Sequence, residues 1–597
     1  MKACVCIPVL LAMLQVLSAA GLVIAIDEVR EHPIYEPDDV APLDGSVHKT
    51  WSSVGPGLNV AFGSTDVRYA RHLPPEAVDS KECEITAWRG ERINTQIVLW
   101  TAEGARQVRP VAGPLRSDSG MTIPETAVRL RFVRYVLADE GPESPQTLKL
   151  VPDVLDTGDR IDVPRETTRP VWLSLDVPCD VPVGRYRGSV KVTSEGGETT
   201  DVSVVIEVVA PVLPPPSQWK FRLDIWQNPW AVAHQHGVAP WSEAHMKVLE
   251  PHLIMLAESG QKFVTTYLTP TAWGESTFIN NETMVEWIRL SDGSWRYDYE
   301  VFDRWVETVG KAGITQAITC YFPGPWGHRV RYRDERTGDE VWTQAKPGTP
   351  EFTALWTPML RDLADHLRRR GWFDRTYIGI NENPVEEGRE CIKLVRSVAP
   401  GLKITWAGLY HEELKDEVDD WCFFIDPPVK PDIITERSRR GCTTTFYTCC
   451  GPLRPNNFTF SPPAESAWMG WYAAAQGYDG FLRWAYDSWS EKPLTDTRYV
   501  RWPAGDCFLV YPGPRSSIRW ERLREGIVDF EKIRILRDRL RGRQELGQLE
   551  EALKRFDYSV VQHEPAAVPI QHARNVLDRL SRIVVDETEK SQPGIVQ

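Results

Sequence analysis

The sequence lacks the cysteine patterns on which small disulfide-rich domains and structural zinc sites depend. It has 11 cysteines in 597 residues, and Cys4 and Cys6 fall in an apolar run at the N-terminus. The others are scattered and odd in number, so they do not predict a disulfide framework. Adjacent Cys449 and Cys450 could form a vicinal disulfide, but two thiols are expected. No C-x-x-C pairs occur, so a structural zinc site is not expected. The sequence predicts no other metal site and no cofactor.

Positive charge is scarce relative to negative charge. The chain has 69 Lys and Arg against 83 Asp and Glu, which gives a net charge of −14. Nucleic-acid phosphates and anionic membrane surfaces attract basic patches, so we expect neither as the main partner. A neutral polymer such as a glycan is compatible with this charge. The sequence does not indicate an oligomeric state.

Long apolar runs are absent except at the N-terminus. An apolar run follows Met1-Lys2 and extends to Ala25, with small residues at 18–20, before the first acid, Asp27. This pattern predicts a secretory signal peptide over residues 1–25, and hence a secreted or periplasmic protein without stable membrane insertion after cleavage. The run is also long enough to span a bilayer, so an N-terminal membrane anchor is the alternative.

Tryptophan is abundant. The chain has 24 Trp, more than cores usually require, and flat aromatic faces stack well on the apolar C–H faces of sugar rings. Large α/β enzymes also fill their cores with Trp, so composition alone does not decide between the two uses. Together with the charge, it favours a carbohydrate partner.

The first third of the chain, from about Trp51 to Val209, alternates apolar and polar residues in short runs broken by Gly, Pro and Asp. Residues 95–100, 171–175 and 202–208 show this period of two most clearly. The pattern predicts an antiparallel β-sandwich domain over residues 45–210. Four prolines follow within a linker at 211–219, and we expect this stiff segment to hold the next domain at a set distance.

After the linker, strands and amphipathic helices alternate. Strands are predicted at 221–226, 263–268, 316–322, 377–381, 403–407, 422–425, 444–448 and 480–484, with helices such as 242–259, 301–312, 350–370 and 386–398 between most of them. Eight such repeats predict a (β/α)8-type barrel over residues 220–515. The sixth strand is the weakest, so an incomplete barrel stays open.

A helical segment at 516–590 is expected to pack against the barrel. It is dense in Glu, Arg and Leu at helical spacing. Its charges at Arg519, Glu521, Arg524 and Glu525 are predicted to form a structural ion-pair network rather than a catalytic site.

The carboxyl ends of the barrel strands carry the functional candidates, because active sites of such barrels lie there. Glu382 follows the apolar strand at 377–381 and precedes Asn383-Pro384, which would point its carboxylate into the cleft; a helix cap or surface ion pair is the alternative. The other strand ends offer candidate substrate-binding residues, mostly aromatic, namely Trp226, Tyr267, Tyr321, Trp406, Tyr447, Trp484 and Asp487.

Glycoside cleavage needs a proton donor and a second group that stabilises the oxocarbenium-like centre. The seventh strand, where many retaining barrels carry a second carboxylate, ends in residues 446–450 without one. The second carboxylate could come from Asp426 or Asp487. Otherwise the 2-acetamido oxygen of the substrate itself attacks the anomeric carbon, and Asn381, adjacent to Glu382, is suited to orient that group.

Several motifs resemble those of glycoside hydrolase family 123 and its relatives, over almost the whole chain after the apolar run. The most specific motifs are C-terminal, and the full set comprises residues 89–91 with Gln96, 181–188, 299–303, 480–489, 505–506, 510–513, 517–526, Asp529 and Glu531.

This resemblance implies a retaining, substrate-assisted exo-β-N-acetylgalactosaminidase. In the family an Asp orients the acetamido group and a neighbouring Glu is the acid/base. Glu382 matches the Glu, but Asn381 stands where Asp is expected. Two other interpretations stay open. One is a carbohydrate-binding barrel with weak or no catalysis, and the other is a glycosidase for sugars without an acetamide that uses Asp426 or Asp487.

Overall fold

The computed structural model describes residues 51–197, 199–322 and 328–584. The predicted signal peptide or anchor at residues 1–25 lies outside these ranges. Within them, no helix has the length and apolarity that a bilayer crossing requires. The fold is a β-sandwich followed by a parallel eight-stranded barrel with helices and a C-terminal helical segment, which confirms the predicted fold class.

The sandwich consists of two packed sheets. One has the strand order β1-β3-β10-β7-β8 and the other β2-β12-β11-β4-β9, with β5 and β6 beside it. The pairing is antiparallel except between β2 and β12, which run parallel. The strands, numbered along the chain, are β1 Asn59–Gly63, β2 Glu82–Arg89, β3 Arg92–Thr101, β4 Ala105–Ala112, β5 Leu115–Ser117, β6 Thr122–Ile123, β7 Val128–Ala138, β8 Lys149–Asp156, β9 Ile161–Val163, β10 Thr167–Asp176, β11 Gly184–Thr193 and β12 Thr199–Val212.

The barrel contains all eight predicted strands, including the sixth. They are β13 Arg222–Ile225, β14 Phe263–Tyr267, β17 Ala317–Tyr321, β20 Thr376–Asn381, β21 Lys403–Gly408, β22 Asp420–Phe424, β23 Thr443–Tyr447 and β24 Gly480–Arg483. Neighbours pair in parallel, and a single bridge between Leu223 and Gln261 joins the first strand to the second. Helices cover the outside, so strands such as β14 and β17 are buried throughout and lack charged residues.

Helices cover the barrel and continue beyond it. They are α1 Pro229–His236, α2 Glu243–Ala257, α3 Glu300–Lys311, α4 Pro350–Arg370, α5 Val385–Val398, α6 Pro431–Arg439, α7 Pro463–Gln476, α8 Ile518–Arg539, α9 Leu546–Leu553, α10 Tyr558–Val561 and α11 Ala567–Ile583. Helix α4 matches its predicted bounds because its end signals are strong. The Thr349 side chain accepts from the Phe352 N–H, Pro350 begins the helix, and Gly371 ends it in the left-handed conformation.

A small accessory sheet lies in the loops after the second and third barrel strands. Its strands are β15 Glu286–Arg289, β16 Trp295–Asp298, β18 Arg329–Asp334 and β19 Glu340–Gln344, in the order β16-β15-β18-β19. Loops after barrel strands lie at the carboxyl-terminal face, so this sheet stands on the same side of the barrel as the candidate active site.

The proline-rich segment does not act as a spacer, contrary to the expectation from its sequence. Pro211 lies inside β12, and a 3-10 turn follows at Pro216–Gln218. Leu213 and Trp219 are buried in the same apolar core as the barrel helices. The sandwich therefore packs directly against the barrel, because burying apolar surface stabilises the contact more than separation would.

The first turns of α8 join the two domains through buried ion pairs. Arg519 lies 2.9 Å from Asp153, and Glu521 lies 2.9 Å from Arg131. Asp153 and Arg131 both belong to strands of the sandwich. Burial opposes ionisation of Glu521, but the guanidinium groups of Arg131 and Arg92 outweigh it and bring the pKa of Glu521 to about 2. The structural network predicted for these charges is confirmed.

Candidate active site

Glu382 lies at the carboxyl end of β20 in a strained backbone conformation. Its φ is +41°, a region that costs a non-glycine residue about 1–3 kcal/mol and that clusters at active sites. Its N–H donates to the carbonyl oxygen of Ala407 on β21, 2.8 Å away, which holds this conformation. The carboxylate has protein on most sides but is exposed to solvent on the remaining one.

The hydroxyl of Tyr447 donates a hydrogen bond to Glu382 Oε1 at 2.7 Å. Tyr447 is the last residue of β23, so the seventh strand directs a phenol, not a carboxylate, at Glu382. Burial raises the pKa of Glu382, and the hydrogen bond from Tyr447 offsets part of the rise. A carboxyl group with a raised pKa and one oxygen fixed by a donor is suited to deliver a proton from the other oxygen.

Asn381 lies one residue before Glu382 and faces the barrel interior. It is in register with Ala407, two positions after the inward-facing Gly379, and it is 5% exposed. Among the described residues, its side-chain amide has no hydrogen-bond partner. The amide is therefore available to a ligand that reaches the same end of the barrel.

Three of the predicted aromatic residues form one packed wall of the barrel mouth. Trp226 directly follows the first strand, and Tyr267 and Tyr321 end the next two; exposures of 5%, 0% and 3% leave them little surface for the predicted sugar contacts. Tyr321 lies against Gly379, where a Cβ would be 2.8 Å from the ring, so the wall extends to the strand that carries Asn381. Trp273, which sequence reasoning missed, stacks on Trp226 with ring centroids 4.2 Å apart.

Trp273 lies in the loop after β14, where Thr271 has a φ of +53°. No period or motif marks it, because loop residues reach the mouth through backbone geometry alone. The site residues were predicted from the ends of the barrel strands. Trp273 lies six residues after the end of β14, so this criterion does not select it.

Trp406 and Trp484 have different surroundings. Trp406 points away from the barrel interior and is 1% exposed, and a Cβ at Gly388 of α5 would lie 2.3 Å from its ring. The structure therefore gives Trp406 a packing role between strand and helix, and it does not support the predicted sugar contact. Trp484 is only half-buried, beside Trp502. It retains surface that a sugar could contact.

Both candidate second carboxylates contact groups other than Glu382. Asp487 is buried and accepts the N–H of Asn228, which begins α1, at 2.7 Å, and burial raises its pKa to about 7. Asp426 is exposed and lies beside Tyr558 of the C-terminal segment; burial and this carboxylate together raise the pKa of Tyr558. The contacts that these two carboxylates make are therefore separate from the hydrogen bond between Glu382 and Tyr447.

Asp224 is a further buried acid that the sequence did not suggest. It lies on β13 one layer below Trp226, whose indole N–H is 3.3 Å from one carboxylate oxygen, while the other oxygen has no partner among the described residues. Burial and the neighbouring Asp420 carboxylate raise the pKa of Asp224 to about 7. It supports the aromatic wall from beneath.

No group of His, Cys, Asp and Glu side chains in the described ranges has an arrangement that would hold a metal ion. The sulfur atoms of Cys449 and Cys450 lie 3.9 Å apart and form no disulfide. They follow Tyr447 after one intervening residue, Thr448.

A parallel barrel with a strained glutamate at the end of its fourth strand has the layout expected of a barrel glycoside hydrolase. Residues 226–536 match the catalytic domain of glycoside hydrolase family 123, and residues 62–194 match the N-terminal domain of that family. The chain belongs to glycoside hydrolase family 123, and it is an enzyme of the class that hydrolyses glycosidic bonds.

One solved structure agrees with this assignment. A family 123 glycoside hydrolase from Clostridium perfringens, analysed for glycolipid glycan hydrolysis, has a TM-score of 0.81 and 26% identity; the match covers 88% of this chain and 98% of that one. A GH5 xyloglucanase from Bacteroides ovatus reaches a TM-score of only 0.27 at 10% identity, over 79% of this chain and 100% of its own. No curated protein matches this chain significantly.

Proposed function

We propose that this protein is a retaining exo-β-N-acetylhexosaminidase of the GalNAc type that uses substrate-assisted catalysis. The observation that carries the proposal is the pairing of Glu382 with Tyr447 where a two-carboxylate enzyme would hold its second acid. The other contacts of the two candidate carboxylates support this proposal, since Asp487 accepts the N–H at the start of α1 and Asp426 lies beside Tyr558. The 2-acetamido oxygen of the substrate can fill that role.

The proposed reaction begins with Glu382 protonated. Its free carboxyl oxygen donates the proton to the glycosidic oxygen as that bond breaks, and the acetamido oxygen attacks the anomeric carbon to form a cyclised intermediate. Asn381 accepts the acetamide N–H through its carbonyl oxygen and so holds the group in line. Glu382, now ionised, then takes a proton from the water that opens the intermediate.

Asn381 makes this site weaker than one with an aspartate. A neutral hydrogen bond contributes about 0.5–1.5 kcal/mol and one to a charged group about 1.5–3, so Asn should cost roughly 1–2 kcal/mol in the transition state. This corresponds to a roughly five- to thirtyfold slower enzyme, not an inactive one. The proposal therefore predicts that Asn381→Asp hydrolyses N-acetyl substrates at least as fast as the natural protein.

The test is a panel of aryl β-glycosides of GalNAc, GlcNAc and plain hexoses, with a thiazoline mimic of the cyclised intermediate as inhibitor. We expect turnover of N-acetyl sugars, GalNAc best, and competitive inhibition by the thiazoline. Asn381→Ala should lose turnover on acetamido sugars selectively. Equal cleavage of plain hexosides without thiazoline inhibition would favour a mechanism without the acetamide. No turnover at all, unrestored by Asn381→Asp, would favour a carbohydrate-binding barrel.

We also propose that the protein is exported. The support is the apolar N-terminal run with its small residues before Asp27. Mass spectrometry of the N-terminus of the protein purified from its own host tests this. Cleavage near residue 25 is expected, whereas an intact N-terminus in the membrane fraction would favour the anchor.

A further inference from the structure

The hairpin formed by β18 and β19 is fixed to the rim of the candidate active site. At its start, His328 Nε2 lies 3.1 Å from Glu387, and just after its end, Lys346 Nζ lies 3.2 Å from the same carboxylate. Glu387 belongs to the first turn of α5, the helix that follows Glu382. Both ends of the hairpin are therefore held next to the segment that carries the acid/base.

The two faces of the hairpin differ in burial. Val330 is completely buried, and Tyr332 packs edge-on against Trp295, so this face is turned toward the protein. Side chains alternate along a strand, and Arg331 is in register with Trp342. The outer face therefore carries Arg329, Arg331 and Arg333 beside Glu340, Trp342 and Gln344.

Trp342 is unusual for this protein. Among the tryptophans in the described ranges, Trp342 is the only exposed one, with 42% of its surface accessible to solvent. The guanidinium groups of Arg329 and Arg331 lie 4.5 and 5.9 Å from the centre of its ring, which holds the indole in place while the side chain stays exposed. A flat aromatic ring exposed at the rim of a site offers apolar surface on which a sugar ring can stack.

Of the three arginines on this face, two form ion pairs with carboxylates and Arg329 does not, among the described residues. Arg331 lies 3.0 Å from Glu282, and Arg333 lies 3.0 Å from Glu286. Arg329 has no carboxylate within 4.0 Å among the described residues. Its N–H groups can therefore donate to a ligand that rests on Trp342.

We propose that Trp342 and Arg329 form a subsite for a neutral sugar on the leaving-group side of the glycan. An exo-acting enzyme holds the terminal sugar in its cleft, and the rest of the glycan leaves across the rim, where the hairpin stands. Trp342 stacks on the apolar face of that second sugar, and Arg329 donates to its hydroxyl groups. This inference rests on the proposed function, because it assumes that the terminal sugar binds beside Glu382.

The test compares two substrates that share a terminal sugar. An aryl β-N-acetylgalactosaminide lacks the second sugar, and a neutral oligosaccharide with terminal β-GalNAc has it. We expect Trp342→Ala and Arg329→Ala each to raise KM for the oligosaccharide roughly three- to tenfold and to leave the aryl substrate unchanged. Arg333→Ala is the matched control, since that arginine shares the face but is already paired, and it should change neither value.

Equal effects on both substrates, or no effect on either, would overturn the subsite. Binding of the oligosaccharide to the Glu382→Gln variant, measured by calorimetry with and without Trp342→Ala, separates this from failure of the proposed function. If the natural protein cleaves neither substrate, the proposed function fails. A roughly three- to tenfold loss of oligosaccharide affinity on Trp342→Ala would still support the hairpin site, and unchanged affinity would remove it.

Discussion

Two acidic residues at the barrel mouth, Glu382 after β20 and Asp487 after β24, show what distinguishes a candidate acid/base from a structural carboxylate. Burial raises the pKa of both groups. Asp487 is sealed, 3% exposed, and accepts a backbone N–H at the start of α1. Glu382 is open to solvent, accepts from one phenol, and has a strained backbone. A raised pKa alone therefore does not mark a candidate acid, and what sets Glu382 apart from Asp487 is its access to solvent and its uncommitted carboxylate oxygen.

The same contrast holds for two tryptophans. Trp406 lies between its strand and α5, whereas Trp484 keeps part of its ring open beside Trp502. Sequence reasoning treated the two alike, because both occur near the end of a barrel strand. The side of the strand to which each ring points decides its role.

Replacement of Glu382 should give the largest effect. Glu382→Gln keeps the size of the side chain and removes its proton, so we expect kcat to fall roughly 10²–10⁴-fold while sugar binding persists. Steady-state kinetics and a binding isotherm check this. An aryl substrate with a good leaving group should retain more activity than a natural glycan. A variant that kept more than about half of the natural activity would show that another group is the acid.

Replacing Trp406 should lower the stability of the protein, whereas replacing Trp484 should weaken sugar binding. Trp406→Ala empties a packed site and is expected to cost about 3–5 kcal/mol in the free energy of unfolding. Trp484→Ala should raise KM with little change in melting temperature. Thermal melts and kinetics on both variants test the contrast, and it would be broken if Trp484→Ala lost stability while sugar affinity stayed the same.

Tyr447→Phe should shift the pH profile. The phenol stabilises the ionised form of Glu382, so its removal should raise the pKa of Glu382 further. The acid must be protonated to act, and the alkaline limb of the kcat profile should therefore move to higher pH. A profile that stays in place would mean that the hydrogen bond does not persist in solution.

Asp487→Asn should have the smallest effect on turnover. The folded pKa of about 7 lies above the ordinary value, so the contribution of Asp487 to stability is complete below about pH 4 and is lost as the pH rises through 7. Asn cannot ionise, so the melting temperature of the variant should fall less between pH 5 and pH 8 than that of the natural protein. A loss of turnover as large as that of Glu382→Gln would instead make Asp487 the second catalytic carboxylate.

Much of the architecture could be predicted because its signals are local. The eight strands, helix α4 with its capping Thr349 and the ion-pair role of Arg519 and Glu521 follow from period, end signals and charge spacing. The prediction for the proline-rich segment was wrong because composition sets stiffness but not what the chain packs against. Trp273 and Asp224 were missed because their positions depend on a loop and on the layering inside the barrel.

The sequence by itself determined the class of fold, the family and the position of Glu382 at the end of the fourth strand, since these depend on residue types and their order. Only the tertiary structure decided which side chains meet. It brought the Tyr447 hydroxyl from β23 to the Glu382 carboxylate, turned Trp406 toward α5 and engaged Asp487 at the start of α1. The physical reason is that barrel closure and strand register place residues far apart in the chain within hydrogen-bond distance, and no local pattern records that register.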